Sequence, residues 1–295
     1  TPPPMHNEGN YTASICEIVQ WLGGKAEELG VNVFTGFPAE SLLLEDDKVV
    51  GVRTTATGLN RDGEPGPGYE PPTDITARVT ALADGCRGSL SQAWLADQDA
   101  KRENPPIYAL GVKEIWETKK PLTEVIHTMG WPLPRDAFGG SFVYPLEDNL
   151  VALGLVVGLD YRQTTLDVHV LTQRLKQHPI LKDLLDGGEL VEWGAKTIPE
   201  GGYYALPDRF SGHGVVLLGD GLGLVDVPSL KGIHYAMQSG IEAAKTIADA
   251  LQKDVVSAKG LAGYDTKLRG SYVVKDMEKT RNMRLAFKSG FYRGS

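Results

Sequence analysis

At 295 residues the chain is long enough for two packed domains, and its 41% hydrophobic and 23% charged content is ordinary for a globular protein. A net charge of -8 without a basic stripe argues against nucleic-acid binding. Two cysteines, Cys16 and Cys86, are too few for a disulfide scaffold or for the four thiolates of an iron–sulfur cluster, and read as small core residues. No apolar run reaches the roughly 18 residues of a spanning helix.

Thr1–Pro4 carries neither a signal nor a transit pattern. In chain order, Ile15, Ile18, Val19, Leu22, Ala26 and Leu29 recur at helical spacing, which predicts an amphipathic helix over 11–29 stopped by Gly30. Val31–Phe34 reads as a short strand. Leu42–Leu44 and Val49–Val52 flank a polar turn and read as a hairpin. Residues 60–72 are rich in glycine, proline and charge and read as a loop, after which 75–83 returns as a strand. From Tyr108 to Tyr161, strand-like runs (110–116, 125–129, 141–145, 150–157) alternate with turns. They suggest an antiparallel sheet inserted into an α/β domain. Helices over 168–178 and 180–185 follow, broken at Pro179. Residues 214–218 read as a buried strand and 231–251 as a helix whose apolar face is Ile233, Met237, Ile241, Ala244 and Ala248.

Two turns carry the chemistry. Ala83-Asp84-Gly85 closes one apolar strand and Gly219-Asp220-Gly221-Leu222-Gly223 closes another. An acid among glycines at the end of a buried strand suits a nucleotide cofactor. Glycine admits close approach of backbone to phosphate, and the acid accepts from ribose or ribityl hydroxyls. The helix after Asp220 would aim a positive dipole end at the same place. The Gly-x-Gly-x-x-Gly fingerprint that usually accompanies such a site is not in this sequence. Phe138-Gly139-Gly140-Ser141-Phe142 reads either as a turn or as bare backbone for a flat ligand, walled by Trp131, Phe138, Phe142 and Tyr144. The six histidines show no metal-ligand spacing. His6-Asn7-Glu8-Gly9-Asn10-Tyr11 is a polar run ahead of a helix, read as a cap. Leu261, Tyr264, Leu268, Tyr272 and Val273 share one side of the segment over 260–277, which fits a docking helix or a membrane-surface helix.

Together these residues resemble the electron-transfer flavoprotein–ubiquinone oxidoreductase family. The resemblance rests on Met5–Tyr11, Gly130-Trp131-Pro132-Leu133, Gly139–Phe142, Val151–Tyr161, His178-Pro179, Gly187-Gly188, Glu200-Gly201-Gly202, Val227-Pro228, Lys231-Gly232 and His234. It implies a partial FAD-binding, Rossmann-like domain of the glutathione-reductase type, α/β (α+β overall), with an inserted, largely antiparallel quinone-binding domain. The implied layout is 1–105 and 206–255 for the FAD domain, 106–205 for the insert and 256–295 for a helical, membrane-surface segment. By the same resemblance Asp84, Gly85, Asp220, Gly221 and Gly223 contact FAD, and Gly139 and Gly140 meet the quinone carbonyl through backbone. A [4Fe–4S] cluster would belong to the complete protein only. The implied partners are electron-transfer flavoprotein, ubiquinone and a membrane surface. The implied location is peripheral on the inner membrane. Mitochondrial members have a cysteine where Asp220 stands here, which points to the bacterial cytoplasmic face. As given, without the fingerprint or the cluster ligands, the chain resembles part of such an enzyme. Alternatives are a geranylgeranyl-reductase-like flavoprotein and a redox-inactive module that binds a hydrophobic ligand.

Overall fold

The computed structural model describes residues 5–288. Helix α1 (Ile15–Glu28) precedes β1 (Ala39–Glu45), β2 (Lys48–Thr54), β3 (Thr57–Leu59), β4 (Pro65–Glu70), β5 (Asp74–Thr76) and β6 (Thr80–Leu82). Then come α2 (Ser89–Asp97), β7 (Tyr108–Glu117), β8 (Ile126–Met129), β9 (Gly139–Pro145), β10 (Leu150–Gly158), α3 (Val168–Lys176), α4 (Pro179–Leu185) and β11 (Glu189–Pro199). The chain continues through β12 (Ser211–Gly212), β13 (Val215–Leu217), α5 (Ile233–Gln252), α6 (Ala258–Leu261), α7 (Gly263–Gly270), α8 (Tyr272–Lys279) and α9 (Met283–Phe287). It forms two compact units. The first takes Thr1–Val33, Pro106–Glu200 and Asn282–Ser295; the second takes Phe34–Pro105 and Gly201–Arg281.

The first unit is built on an antiparallel five-stranded sheet in the order β11-β7-β10-β9-β8. Strand alternation sorts its residues between two faces. Val112, Val143, Val151, Leu153, Leu155 and Val157 join Val168, Leu175 and Leu181 of α3 and α4 in one buried core. Asp167 caps α3 by accepting from the backbone N–H of His169 at 2.8 Å and Val170 at 3.1 Å. Pro179 opens α4, where a missing N–H costs nothing. Buried Glu114 ties β7 to α3, accepting from Lys176 Nζ at 2.7 Å and Trp116 Nε1 at 2.7 Å.

The second unit holds a small sheet, β12-β13-β6, in which β13 and β6 run parallel. Its core gathers Leu82, Leu90, Trp94, Phe210, Val215–Leu217, Leu222 and Leu224 with residues of α5 to α8. Helix α5 buries Tyr235, Ser239, Ala243, Thr246 and Ala250. The stripe expected to be its inner face is outside: Ile233, Met237 and Ile241 are 44%, 50% and 47% exposed. The reason is proximity. Ser239 Oγ accepts from the Gly219 N–H at 3.0 Å and donates to Ala236 O at 2.7 Å. A Cβ on Gly219 would lie 3.1 Å from that of Ala236, so only small residues fit where this turn meets the helix, while Tyr235 is buried at its N-terminal end.

The segment over 260–277 docks on the protein, one of the two alternatives its apolar side allowed. Leu261, Tyr264, Leu268, Val273 and Met277 are in the core of the second unit, and Tyr264 Oη donates to Leu217 O at 2.7 Å. Its apolar side is therefore occupied by protein, and residues 289–295 of the expected membrane-surface segment lie outside the described residues. Cys16 is exposed and Cys86 half-buried, so neither is a core residue. Residues 31–34 form no strand. The expected loop over 60–72 contains most of the β3–β4 hairpin, and helix α2 and strand β11 are additions to the elements predicted.

Candidate functional site

In the second unit the parallel register pairs Thr80 with Val215 and Leu82 with Leu217, and the Leu218 N–H continues the ladder to Leu82 O at 2.9 Å. Both acid–glycine turns therefore leave the carboxyl ends of two adjacent parallel strands, the place where open α/β sheets bind nucleotides. Gly221 sits against Asp84: a Cβ there would meet Ser91 Oγ at 3.0 Å and Asp84 Oδ1 at 3.5 Å. Gly85 (φ 78°) and Gly223 (φ 86°) adopt the left-handed conformation and have open space where a Cβ would stand. The Asp220 carboxylate lies beside Gly232, the residue preceding α5. These turns fit one side of a nucleotide cofactor.

Asp84 turns back onto helix α2. Its Oδ2 accepts from the backbone N–H of Leu90 and Ser91, both at 3.0 Å, and its Oδ1 takes a short bond from the Ser91 hydroxyl. The carboxylate thus satisfies the free N–H groups and positive dipole end of α2. A Cβ on Gly88 would fall 2.0 Å from Asp84 Cγ, so glycine is required for that carboxylate to fold back. Asp84 thereby shapes the turn.

In the first unit, the sheet face opposite α3 and α4 is paved with glycine. Gly111, Gly154 and Gly158 alternate onto it, as does Gly140, which pairs with Val156 on one side and Met129 on the other. The Phe142 ring covers Gly154, where a Cβ would meet it at 2.4 Å. Phe142 stacks on Tyr144 with centroids 4.9 Å apart, and His127 meets Tyr144 edge-on at 5.5 Å. Burial lowers the His127 pKa, which favours the neutral imidazole, and its Nδ1 is buried without a hydrogen-bond partner. Of the aromatics expected to wall this place, Phe142 and Tyr144 are on the face, whereas Trp131 contacts His178 and Phe138 sits at the sheet end.

Gly139 and Gly140 begin β9. Being paired on both sides, Gly140 directs its N–H into the ladder rather than out of the face. It presents bare Cα on the face. Gly139 has φ 149°, and a Cβ there would strike Val156 O at 2.1 Å. At Gly140 a Cβ would strike Thr128 O at 2.0 Å.

Three charged residues meet at one end of this face. Arg284 Nη2 donates to Asp160 Oδ1 at 2.5 Å, and its Nε lies 3.6 Å from Glu200 Oε2. The guanidinium sits 4.2 Å from the Phe138 ring centroid. A Cβ on Gly158 would point into this cluster, 2.6 Å from Arg284 Nη2 and 3.4 Å from Glu200 Oε2. Asp160 and Arg284 had not been singled out from the sequence. Glu200, Asp160 and Arg284 stand 40 and 124 positions apart, and no local spacing brings them together.

The model of the ubiquinone-binding region of electron-transfer flavoprotein–ubiquinone oxidoreductase matches residues 108–198, which hold all five strands of this sheet except the last residue of β11. Electron transfer flavoprotein-ubiquinone oxidoreductase from Arabidopsis thaliana is 42% identical over 99% of this chain and 47% of its own length. The human protein is 39% identical over 95% of the chain and 47% of its own length. The chain belongs to the electron transfer flavoprotein–ubiquinone oxidoreductase family. It spans about half the length of these relatives, both described as mitochondrial. Among solved structures, a geranylgeranyl bacteriochlorophyll reductase-like protein from Thermoplasma acidophilum matches with TM-score 0.70 and 17% identity, over 90% of this chain and 62% of that one. A myxobacterial FAD-dependent chondrochloren halogenase matches with TM-score 0.63 and 19% identity, over 97% and 68%. At such identities these likenesses establish the flavoprotein fold alone.

Proposed function

We propose that the chain carries the quinone-binding face and part of the FAD site of an enzyme that passes electrons from electron-transfer flavoprotein to ubiquinone. The observation that carries this reading is a coincidence of place. The ubiquinone-binding match covers the sheet whose one face is glycine, stacked aromatics and a neutral histidine. A flat ring rests well on a side-chain-free surface, and aromatic edges contribute contact area without a competing charge.

When bound, FAD supplies the electron-carrying chemistry. This chain's residues do the rest. Gly85, Gly221 and Gly223 let the backbone approach a phosphate or ring closely, and Asp220 accepts a hydroxyl. Asp84 holds α2 in position behind them. On the other unit Gly140 gives the quinone bare backbone, Phe142, lying over Gly154 and stacked on Tyr144, gives it an aromatic surface, and His127 gives a polar atom for a carbonyl or methoxy oxygen. A [4Fe–4S] cluster would take its thiolates from elsewhere, since this sequence has two cysteines. Attachment to a membrane surface, on the bacterial cytoplasmic face by the presence of Asp220, belongs to the same reading. No helix among the described residues is long and apolar enough to cross a membrane.

The test is a nuclear magnetic resonance titration of the chain with a short-tailed ubiquinone. Amide shifts confined to Gly140, Phe142, Tyr144 and Gly154 are expected. Shifts centred on the α3–α4 side of the sheet, or none at millimolar quinone, would refute the assignment.

A further inference from the structure

Resting on that reading, the structure carries one more step, the source of a proton. Quinone reduction consumes two electrons and two protons. The electrons come from a reduced flavin-class donor. The protons need a group at the site that holds one at neutral pH and gives it up.

We infer that Glu200 is that group: it holds a proton beside the quinone face, releases it to the reduced quinone oxygen, and regains one from water by way of Asp160. The argument is geometric. On β10, Gly154, Val156 and Gly158 point successively onto the glycine face. Gly154 lies under Phe142, Val156 pairs with Gly140, and Gly158 opens onto the cluster of Glu200, Arg284 and Asp160. Gly158 N–H donates to Phe138 O at 2.8 Å, so the residue before Gly139 is joined directly to the cluster's floor. Glu200 is itself fixed to the sheet end, its N–H donating to Ile107 O at 2.7 Å.

The second observation is an unspent oxygen. Glu200 Oε2 and Arg284 Nε are both buried and neither has a hydrogen-bond partner. At 3.6 Å they attract without bonding, because Arg284 gives its Nη2 to Asp160 instead. One guanidinium therefore faces two carboxyls, and it neutralises only one of them. Burial, partly opposed by Arg284 and reinforced by Asp160, pushes Glu200 up to about 7. Asp160 is 36% exposed at its side chain while Arg284 and Glu200 are each 6%, so Asp160 is the member in touch with water.

The step balances. Quinone accepts two electrons from the donor, one proton from the Glu200 carboxylic acid and one from water. The products are quinol, the Glu200 carboxylate, hydroxide released to solvent and the donor oxidised by two electrons. The carboxylate then takes a proton from solvent past Asp160, with Arg284 stabilising the ionised form in the interval.

The experiment compares the chain with its Glu200→Gln and Glu200→Asp variants. Dithionite reduces bound short-tailed ubiquinone, and the quinol is followed by absorbance between pH 5 and 9. Infrared spectroscopy records protonated carboxyl before and after reduction. In the parent, quinol formation should be flat in acid and fall about tenfold per pH unit above neutrality. A carboxyl band should bleach on reduction. Glu200→Gln should bind quinone with unchanged amide shifts, lose the band, and reduce quinone at least tenfold more slowly at pH 6 with no such pH dependence. Glu200→Asp should restore a pH-dependent rate with a displaced midpoint. Matching pH profiles in parent and Glu200→Gln, or no Glu200 carboxyl band at neutral pH, would overturn the inference while leaving the quinone face intact. Failure of the parent to bind quinone would overturn the face itself.

Discussion

Glu200 is a buried acid whose folded-state pKa is raised to about 7, chiefly by burial. The linkage sign follows. A raised acid binds more protons in the native than in the unfolded state, so its contribution is full below the ordinary glutamate pKa and lost as pH rises through about 7. Stability of the parent should therefore fall between about pH 4.5 and 7.5, by at most roughly 3 kcal/mol from this group. Urea unfolding of parent and Glu200→Gln at pH 5 and pH 8 checks it. The variant should lack the decline and be the more stable of the two at pH 8. Asp84 makes an opposite kind of prediction. Because its oxygens cap α2, Asp84→Ala should cost about 1–2 kcal/mol in urea unfolding even without any cofactor. Asp220→Ala should weaken FAD retention in the complete enzyme, read from the flavin absorbance after dialysis. Equal flavin content in variant and parent would remove that role.

Strands and helices differ in how much of them could be read from the chain. The β7–β10 alternation was legible because one face is buried against α3 and α4, which forces a period of two on the sequence. Strand β11 was not, since Glu189–Lys196 are exposed on both faces and Glu, Gly and Lys interrupt the pattern, as on an edge strand. Helix α5 was located correctly but turned the wrong way round. Ile233, Met237 and Ile241 face outward, and apart from Tyr235 the buried residues are small, because the Gly219 turn packs closely against Ala236 and Ser239. The consequence is measurable. Replacing Ile233, Met237 and Ile241 together by Gln should change the stability of this chain by less than about 1 kcal/mol, whereas Ala243→Leu should cost about 1–3 kcal/mol by overpacking. The reverse ranking in thermal unfolding would contradict the buried face described. Gly140→Val is a poor probe of the quinone face for a similar reason: its Cβ would strike Thr128 O, and the sheet would yield before any ligand was tested.

At the scale of the whole molecule, each unit brings together residues that are distant in sequence. Parallel pairing of β6 with β13 sets two acid–glycine turns, 136 positions apart from Asp84 to Asp220, at neighbouring strand ends. The turns themselves were visible in the sequence as glycine beside acid after an apolar run. Their adjacency was only implied, and the use of Asp84 as a helix cap depends on Gly88, which no motif marked. The quinone face was legible as a glycine pair and two aromatics, but its extent depends on the register of three strands. The proton-holding cluster was not legible, because its members come from a turn, a strand end and the last described helix. The most direct measurement is photolabelling with an azido-ubiquinone, followed by mass spectrometric mapping of the attachment site. Label on His127, Met129 or the stretch from Gly140 to Tyr144, suppressed by unlabelled ubiquinone, is the predicted result. Label confined to α3 and α4, or to the second unit, would contradict it.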